Sequence, residues 1–382
     1  MGRTSQPARN CDGFRLNAQE ICEEPGNIRV PWMHSGCGNA PKRLALASHI
    51  VIIGLNNKDT SMTKPRRIDL IGIATAAGAS VRGCGMGPEA LRVAGLAEAL
   101  IELDQVVVDH GDLRRPHPAL DASPASQRLP DERRADVLDL AARISDQGLA
   151  ILDAGNFPVF LGGDHSIAMG TVSAVARHCA ATGKPVFVLW VDAHADFNTP
   201  ATSPSGNLHG MPLALLCGEP GFDDEYQGEW LGRIDPRHVS VIGARSVDRD
   251  ERKLLNARGV EVLDMRKIDE LGVVALMRTL LTRVKATGGH LHVSLDVDAM
   301  DPAIAPGGGT LVPGGLSYRE AHLIMEMLHD SGLVGSLDVV ELNPFLDHGG
   351  ASATLLVDLV ASLFGRAIMG EEAGPVEFVT EE

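Results

Sequence analysis

Three short stretches of the chain set carboxylates and imidazoles two positions apart: Gly162-Gly163-Asp164-His165-Ser166, Asp192-Ala193-His194-Ala195-Asp196 and Asp296-Val297-Asp298-Ala299-Met300-Asp301. Carboxylates this crowded repel one another and lose hydration when partly buried, so their accumulation requires a compensating positive charge. A divalent cation is the economical source. Mostly oxygen donors with few imidazoles suit Mn²⁺, whereas a structural zinc site would favour Cys and His. The ligand count implies two ions. His165, Asp192, Asp196 and Asp296 would serve one, and His194, Asp192, Asp296 and Asp298 the other, with Asp192 and Asp296 bridging. Metal coordination lowers the pKa of bound water by many units, so a hydroxide held between the ions would be a strong nucleophile at neutral pH.

Each residue alone has a plainer explanation. An isolated Asp after a strand usually caps a helix or forms a turn, Gly162-Gly163 marks a tight turn, and a single buried His is more often structural. Three such segments in one chain outweigh these separate accounts. In locally extended chain, Asp192, His194 and Asp196 share one face, and Asp296 and Asp298 repeat the device.

The positioning elements are legible from Arg67 onward, where short β-branched runs alternate with longer amphipathic stretches. Eight strands are expected: Ile68 to Ala74, Val106 to Gly111, Pro158 to Gly163, Pro185 to Ala193, His238 to Gly243, Val260 to Met265, His290 to Val297 and Leu333 to Leu342. Helices are expected at Gly87 to Leu100, Glu132 to Ala154, Ser166 to Thr182, Arg249 to Arg258, Val273 to Ala286, Ser317 to Ser331 and Thr354 to Met369. This alternation predicts an α/β fold with a parallel sheet covered on both faces. Ligands of such sheets bind beyond the carboxyl ends of the strands, so the three acidic segments should converge on one crevice. The Pro-rich stretch Arg114 to Pro130 reads as a surface loop. Residues 1–65 lack sustained periodicity and read as an irregular extension, possible tail or mis-called start ahead of Met62, and 66–382 as a single domain.

Composition bounds the partners. Of 382 residues, 44% are hydrophobic and 22% charged, the balance of a globular protein with a sizeable core. The formal charge of -16 disfavours nucleic acid and anionic membrane, and is compatible with a cationic substrate. Six cysteines without a C-x-x-C pair fit reduced thiols. The longest apolar run, Leu44 to Leu55, is too short for a membrane span, contains His49, and lies too far from Met1 for an ordinary signal peptide, so a cytoplasmic protein is expected.

The three acidic segments, in this order and strand context, resemble the signature of the ureohydrolase family, which includes arginase, agmatinase and formimidoylglutamase. The resemblance runs from about Arg67 to Met369. It implies a three-layer α/β/α sandwich with a parallel, about eight-stranded sheet, two Mn²⁺ per subunit, hydrolysis of a guanidino or related group, and a homotrimer or homohexamer. Asn198-Thr199-Pro200 through Ser205-Gly206-Asn207-Leu208-His209-Gly210 is similar to the loop by which arginases of bacterial type recognise the amino-acid end of substrate. On that resemblance Asn198, Ser205 and Asn207 bind the α-carboxylate. Asp248 binds the α-amino group, with Glu251 helping through water. Thr310, opening the arginase-like stretch Thr310 to Glu320, joins the substrate contacts. Asp196 orients the nucleophile, His209 shuttles a proton, and Glu341 in Val339-Val340-Glu341-Leu342-Asn343-Pro344 anchors the guanidinium. The implied reaction converts L-arginine to L-ornithine and urea. An agmatinase or another guanidino-acid hydrolase is the alternative, followed by a catalytically idle binding protein of the same fold. The extension and the Pro-rich insert depart from the family pattern without touching its motifs.

Overall fold

Short runs of four to seven residues, rich in apolar side chains and too short for stable helices, form the centre of the molecule as strands buried on both faces. The computed structural model describes residues 50–51, 67–113, 130–223 and 226–367. Nearly all of the expected extension, the Met62 start, the Pro-rich loop up to Pro130 and the chain beyond 367 lie outside the described residues. In order, the elements are β1 (Ile50–Val51), β2 (Arg67–Ile73), α1 (Gly87–Val93), α2 (Leu96–Ile101), β3 (Val106–Asp112), α3 (Pro130–Asp153), β4 (Phe157–Gly162), α4 (Ala168–Thr182), β5 (Val186–Val191) and α5 (Pro212–Leu216). Then come β6 (Val239–Ile242), α6 (Arg249–Arg258), β7 (Glu261–Leu263), α7 (Met265–Leu271), α8 (Val273–Thr287), β8 (His290–Asp296), α9 (Tyr318–Ser331), β9 (Val334–Val340) and α10 (Ala351–Leu363).

The strands form one sheet in the order β1-β3-β2-β4-β9-β8-β5-β6-β7. The eight expected strands are all present and parallel; β1 is a two-residue antiparallel addition on the β3 edge, pairing Ile50 with Asp109 and Val51 with Val108. These two residues belong to the stretch expected to be extension, and the compact unit that holds the sheet runs from Ser48 to Glu382.

Alternation of side chains builds the layers. On one face Leu291, Val293 and Leu295 of β8 and Leu337 and Val339 of β9 join a core with α1, α2, α8, α9 and α10. On the other, Val188 and Trp190 of β5 and Val239 and Val241 of β6 pack with α4, and Ile71, Ile73 and Phe160 with α3. The helix expected at Gly87 to Leu100 is two helices, because Gly95 takes a left-handed φ of 90° and breaks the turn between α1 and α2. The short α5 and α7 escaped the periodicity, having too few turns to show one. Among the described residues no helix is long and apolar enough to cross a membrane.

The turn after β4 depends on close backbone approach. A Cβ on Gly163 would lie 1.8 Å from the carbonyl oxygen of Thr75, which itself accepts a hydrogen bond from Asp164 N. Gly163→Ala should therefore cost about 2–4 kcal/mol. A urea midpoint equal to that of the parent protein would show that the approach is not needed.

Candidate active site

β4, β5 and β8 run parallel and end at one edge of the sheet, and at or just beyond the end of each an aspartate turns the chain by accepting the N–H two residues on. Asp164 Oδ1 accepts from Ser166 N at 3.0 Å, Asp192 Oδ1 from His194 N at 2.7 Å and Asp296 Oδ1 from Asp298 N at 2.8 Å. Turn-forming and cluster-forming roles thus coexist in Asp192 and Asp296, since one oxygen shapes the backbone and the other faces His165. The grouping does not come from extended chain as expected. Asp196 has a left-handed φ of 46°, and Asp298 lies on a 3₁₀ turn over Val297–Ala299.

The side chains meet in two groups. His165 Nδ1 lies 3.1 Å from Asp192 Oδ2, 3.1 Å from Asp296 Oδ2 and 3.2 Å from Asp196 Oδ2. His194 Nδ1 lies 3.4 Å from Asp192 Oδ1 and 3.2 Å from Asp298 Oδ2. Asp192 therefore stands in both groups, while Asp296 presents Oδ2 to the first.

These residues fit divalent cations. His165 Nδ1 is buried and has no hydrogen-bond partner despite three carboxylates around it, which is the state of a ligand atom, not of a donor. Donors bound at about 2.1 Å and at right angles around an octahedral ion stand about 3 Å apart, the spacing seen here. The electrostatics agree. Burial, reinforced by Asp298 and Asp192, pushes the Asp296 carboxyl well above the usual range. Burial and Asp192 also raise Asp196, and the same two causes bring Asp298 up to about 6. Such groups call for a positive neighbour.

Two neighbouring side chains that the sequence reading did not single out set the His165 ring. Trp190 stacks on it, with centroids 3.9 Å apart, and donates its Nε1–H to Asp192 Oδ2 at 2.9 Å. Ser294 Oγ lies 2.8 Å from His165 Nε2. Each sits two positions before an acidic residue at its strand end, a period-2 signal available in the sequence.

A cleft of about 230 Å³ opens at the cluster, with room for an amino-acid-sized solute. Every substrate contact anticipated from the sequence lines it, along with Ser203 and Ser246, which were not anticipated. Glu341, from the end of β9, takes a left-handed φ of 62°. Its Oε1 receives His209 Nδ1 at 2.8 Å and His165 N at 2.8 Å. Burial pulls the His209 imidazole down, but Glu341 outweighs it and holds it up at about 9. Burial acts to raise Glu341, yet His209 and the His165 N–H hold it below the usual range.

Also lining the cleft, Asn198 Nδ2 donates to Asp248 Oδ2 at 3.0 Å, and Asn207 Oδ1 accepts from Ser80 at 2.7 Å. Ser205 Oγ accepts from Asn207 N at 3.2 Å. Both oxygens of Glu251 are engaged, Oε1 by Phe197 N at 2.8 Å and Oε2 by Asp248 N at 3.0 Å. Glu251 thus braces Asp248 and the chain beside Asp196. Thr310 donates to Asp298 Oδ2 at 3.0 Å.

Residues 66–365 match the model of the arginase family. The chain is 49% identical over 308 residues to an arginase of Brucella melitensis, covering 78% of this chain and 96% of that one. It is 39% identical over 312 residues to an arginase of Staphylococcus aureus, covering 81% and 100%. The crystal structure of arginase from Bacillus subtilis superposes with a TM-score of 0.71 at 39% identity, covering 79% of this chain and all of that chain.

Two outcomes follow. Mn²⁺ at a hundredfold excess over its Kd should stabilise the protein by about 3 kcal/mol, and Asp192→Asn, which touches both groups, should lose more of this than Asp298→Asn. Melting curves that ignore Mn²⁺ would exclude a cation site. The raised pKa of His209 stabilises the fold fully below its unfolded value of about 6.5, and the contribution disappears as pH rises through about 9. In metal-free protein the stability lost in His209→Asn should therefore be greatest, up to about 3 kcal/mol, at pH 6 and vanish near pH 10. A pH-independent difference would contradict the ion pair.

Proposed function

The chain belongs to the arginase family, and on that premise we propose that it hydrolyses L-arginine to L-ornithine and urea. The observation that carries this reading is the lining of the cleft. Glu341 and the His165–Asp196 cluster share it with Asn198, Ser205, Asn207 and Asp248. A carboxylate suits a guanidinium, neutral donors suit an α-carboxylate, and a second carboxylate suits an α-amino group.

His165, Asp192, Asp196 and Asp296 would hold one Mn²⁺, and His194, Asp192, Asp298 and Asp296 a second. When bound, the ions supply positive charge that lets a water ionise at neutral pH and attack the guanidinium carbon. Asp196 orients that water. Glu341 holds the guanidinium in line, and its low pKa keeps it charged for the purpose. As the bond from the guanidinium carbon to the side-chain nitrogen breaks, the departing amine needs a proton. His209, protonated at neutral pH through its pairing with Glu341, is suited to deliver it.

An agmatine hydrolase would use the same acidic cluster but would have no carboxylate for the Asn198–Asn207 loop to receive. Family membership further supports a cytoplasmic homotrimer or homohexamer, and light scattering reads that mass directly. The free thiols Cys84, Cys179 and Cys217 accord with a reducing compartment.

With Mn²⁺ present, urea release from arginine should exceed that from agmatine or 4-guanidinobutyrate by at least about a hundredfold in kcat/KM. Asp296→Asn should abolish activity, and His209→Ala should leave a weaker enzyme. Preference for agmatine, or full turnover in Asp296→Asn, would overturn the assignment.

A further inference from the structure

On the α4 face, the centre of the sheet is polar where neighbouring strands are aliphatic. Ser294 and Asp338 are cross-strand partners on β8 and β9, and so are His292 and Ser336; all four are fully buried. They form a continuous row behind His165. His165 Nε2 lies 2.8 Å from Ser294 Oγ, and the Ser294 hydroxyl donates to Asp338 Oδ2 at 3.3 Å. The same oxygen receives the Thr171 hydroxyl of α4 at 2.8 Å and His292 Nε2 at 3.1 Å. His292 Nδ1 lies 2.8 Å from Ser336 Oγ. Asp338 Oδ1 is buried without a hydrogen-bond partner.

A carboxylate in this position is costly, and the more so with one oxygen unmatched. Packing alone does not call for it. We propose that Asp338 is a positioning residue that, acting through Ser294, keeps Nε2 the proton-bearing nitrogen of His165 and so reserves Nδ1 for a divalent cation.

The direction of the row follows from what each group can do. A carboxylate only accepts, so the Ser294 hydroxyl points its hydrogen at Asp338 and offers a lone pair to His165. That lone pair is satisfied only by Nε2–H. The nitrogen left to bind a cation is then Nδ1, the atom surrounded by acidic side chains and lacking a partner. A serine free to rotate could instead donate to Nε2, placing the proton on Nδ1 where it would compete with the cation. Partners that fix a ligand imidazole in this way typically change metal affinity by tenfold to a hundredfold.

The inference rests on the reading that a cation occupies the acidic cluster, and the test separates the two. Parent protein and Asp338→Asn, both stripped of metal, are titrated with Mn²⁺ by calorimetry and equilibrium dialysis. An amide at 338 can donate to Ser294 and reverse the row. Binding at the His165 group should therefore weaken tenfold to a hundredfold, with the melting temperature of the metal-free protein nearly unchanged and activity recovering at saturating Mn²⁺. Thr171→Val, which touches the same oxygen but stands outside the link to His165, should keep the parent affinity. If the parent binds no Mn²⁺, the cation reading itself fails. If the parent binds and Asp338→Asn binds equally, or Thr171→Val loses as much, the positioning role is overturned. Should Asp338→Asn not fold, Ser294→Ala cuts the same link, and an unchanged affinity there overturns the proposal equally.

Discussion

Repulsion among buried carboxylates is the constraint around which this molecule is arranged. β4, β9, β8 and β5 are consecutive in the sheet and parallel, so their carboxyl ends deliver His165, Glu341, the Asp296–Asp298 pair and the Asp192–Asp196 run to one edge. Nothing in a parallel sheet can spread these groups apart. At an effective dielectric of about 20, two unit charges 4 Å apart repel by about 4 kcal/mol, a large fraction of the stability of a whole domain. Positive charge must therefore be found on the spot.

The protein supplies some of it without satisfying the cluster. Arg245 is the clearest case: its guanidinium donates to the carbonyl oxygens of Gly243, Asp298, Ala299, Met300 and Val312. With its donors turned to backbone, it lends charge to the region and fixes the loop after β8, but does not fold down onto the carboxylates. The Asx turns act likewise. Each offers an N–H to one oxygen of Asp192 or Asp296 and leaves the other facing His165. The site is thus held open for a cation by internal partners that are committed elsewhere.

How much of this could be read in advance depended on the period of the signal. A strand such as Val186–Val191 shows as an uninterrupted apolar run because both faces are covered, and the acidic motifs stood out against such runs. The break at Gly95 was hidden inside a helical pattern, since a single glycine is compatible with a continuous helix until tertiary packing decides. The left-handed backbone at Asp196 and Glu341 was equally invisible. Non-glycine residues adopt that region rarely and only where surroundings impose it. The row from Ser294 to Asp338 was hidden for another reason: its members lie on two strands far apart in sequence, and only their register joins them.

The first acidic motif and the Asn207–His209 segment are also mechanically continuous. Asp164, adjoining His165 in the chain, accepts Gly78 N at 2.8 Å, and the carbonyl of Gly78 in turn accepts the backbone N–H of His209 at 3.2 Å. Two residues on, Ser80 holds Asn207. The loop after β2 is therefore wedged between the first acidic motif and the Asn207–His209 segment that lines the cleft. A Cβ at Gly78 would lie 2.6 Å from Asp164 Oδ1, so the wedge has no slack on that side. Loop residues gain positional accuracy when rigid elements hold them at both ends. Here the holding element is the sheet edge itself, so the spacing between the acidic cluster and the Asn198–His209 loop is set by strand register and not by the loop's own stiffness.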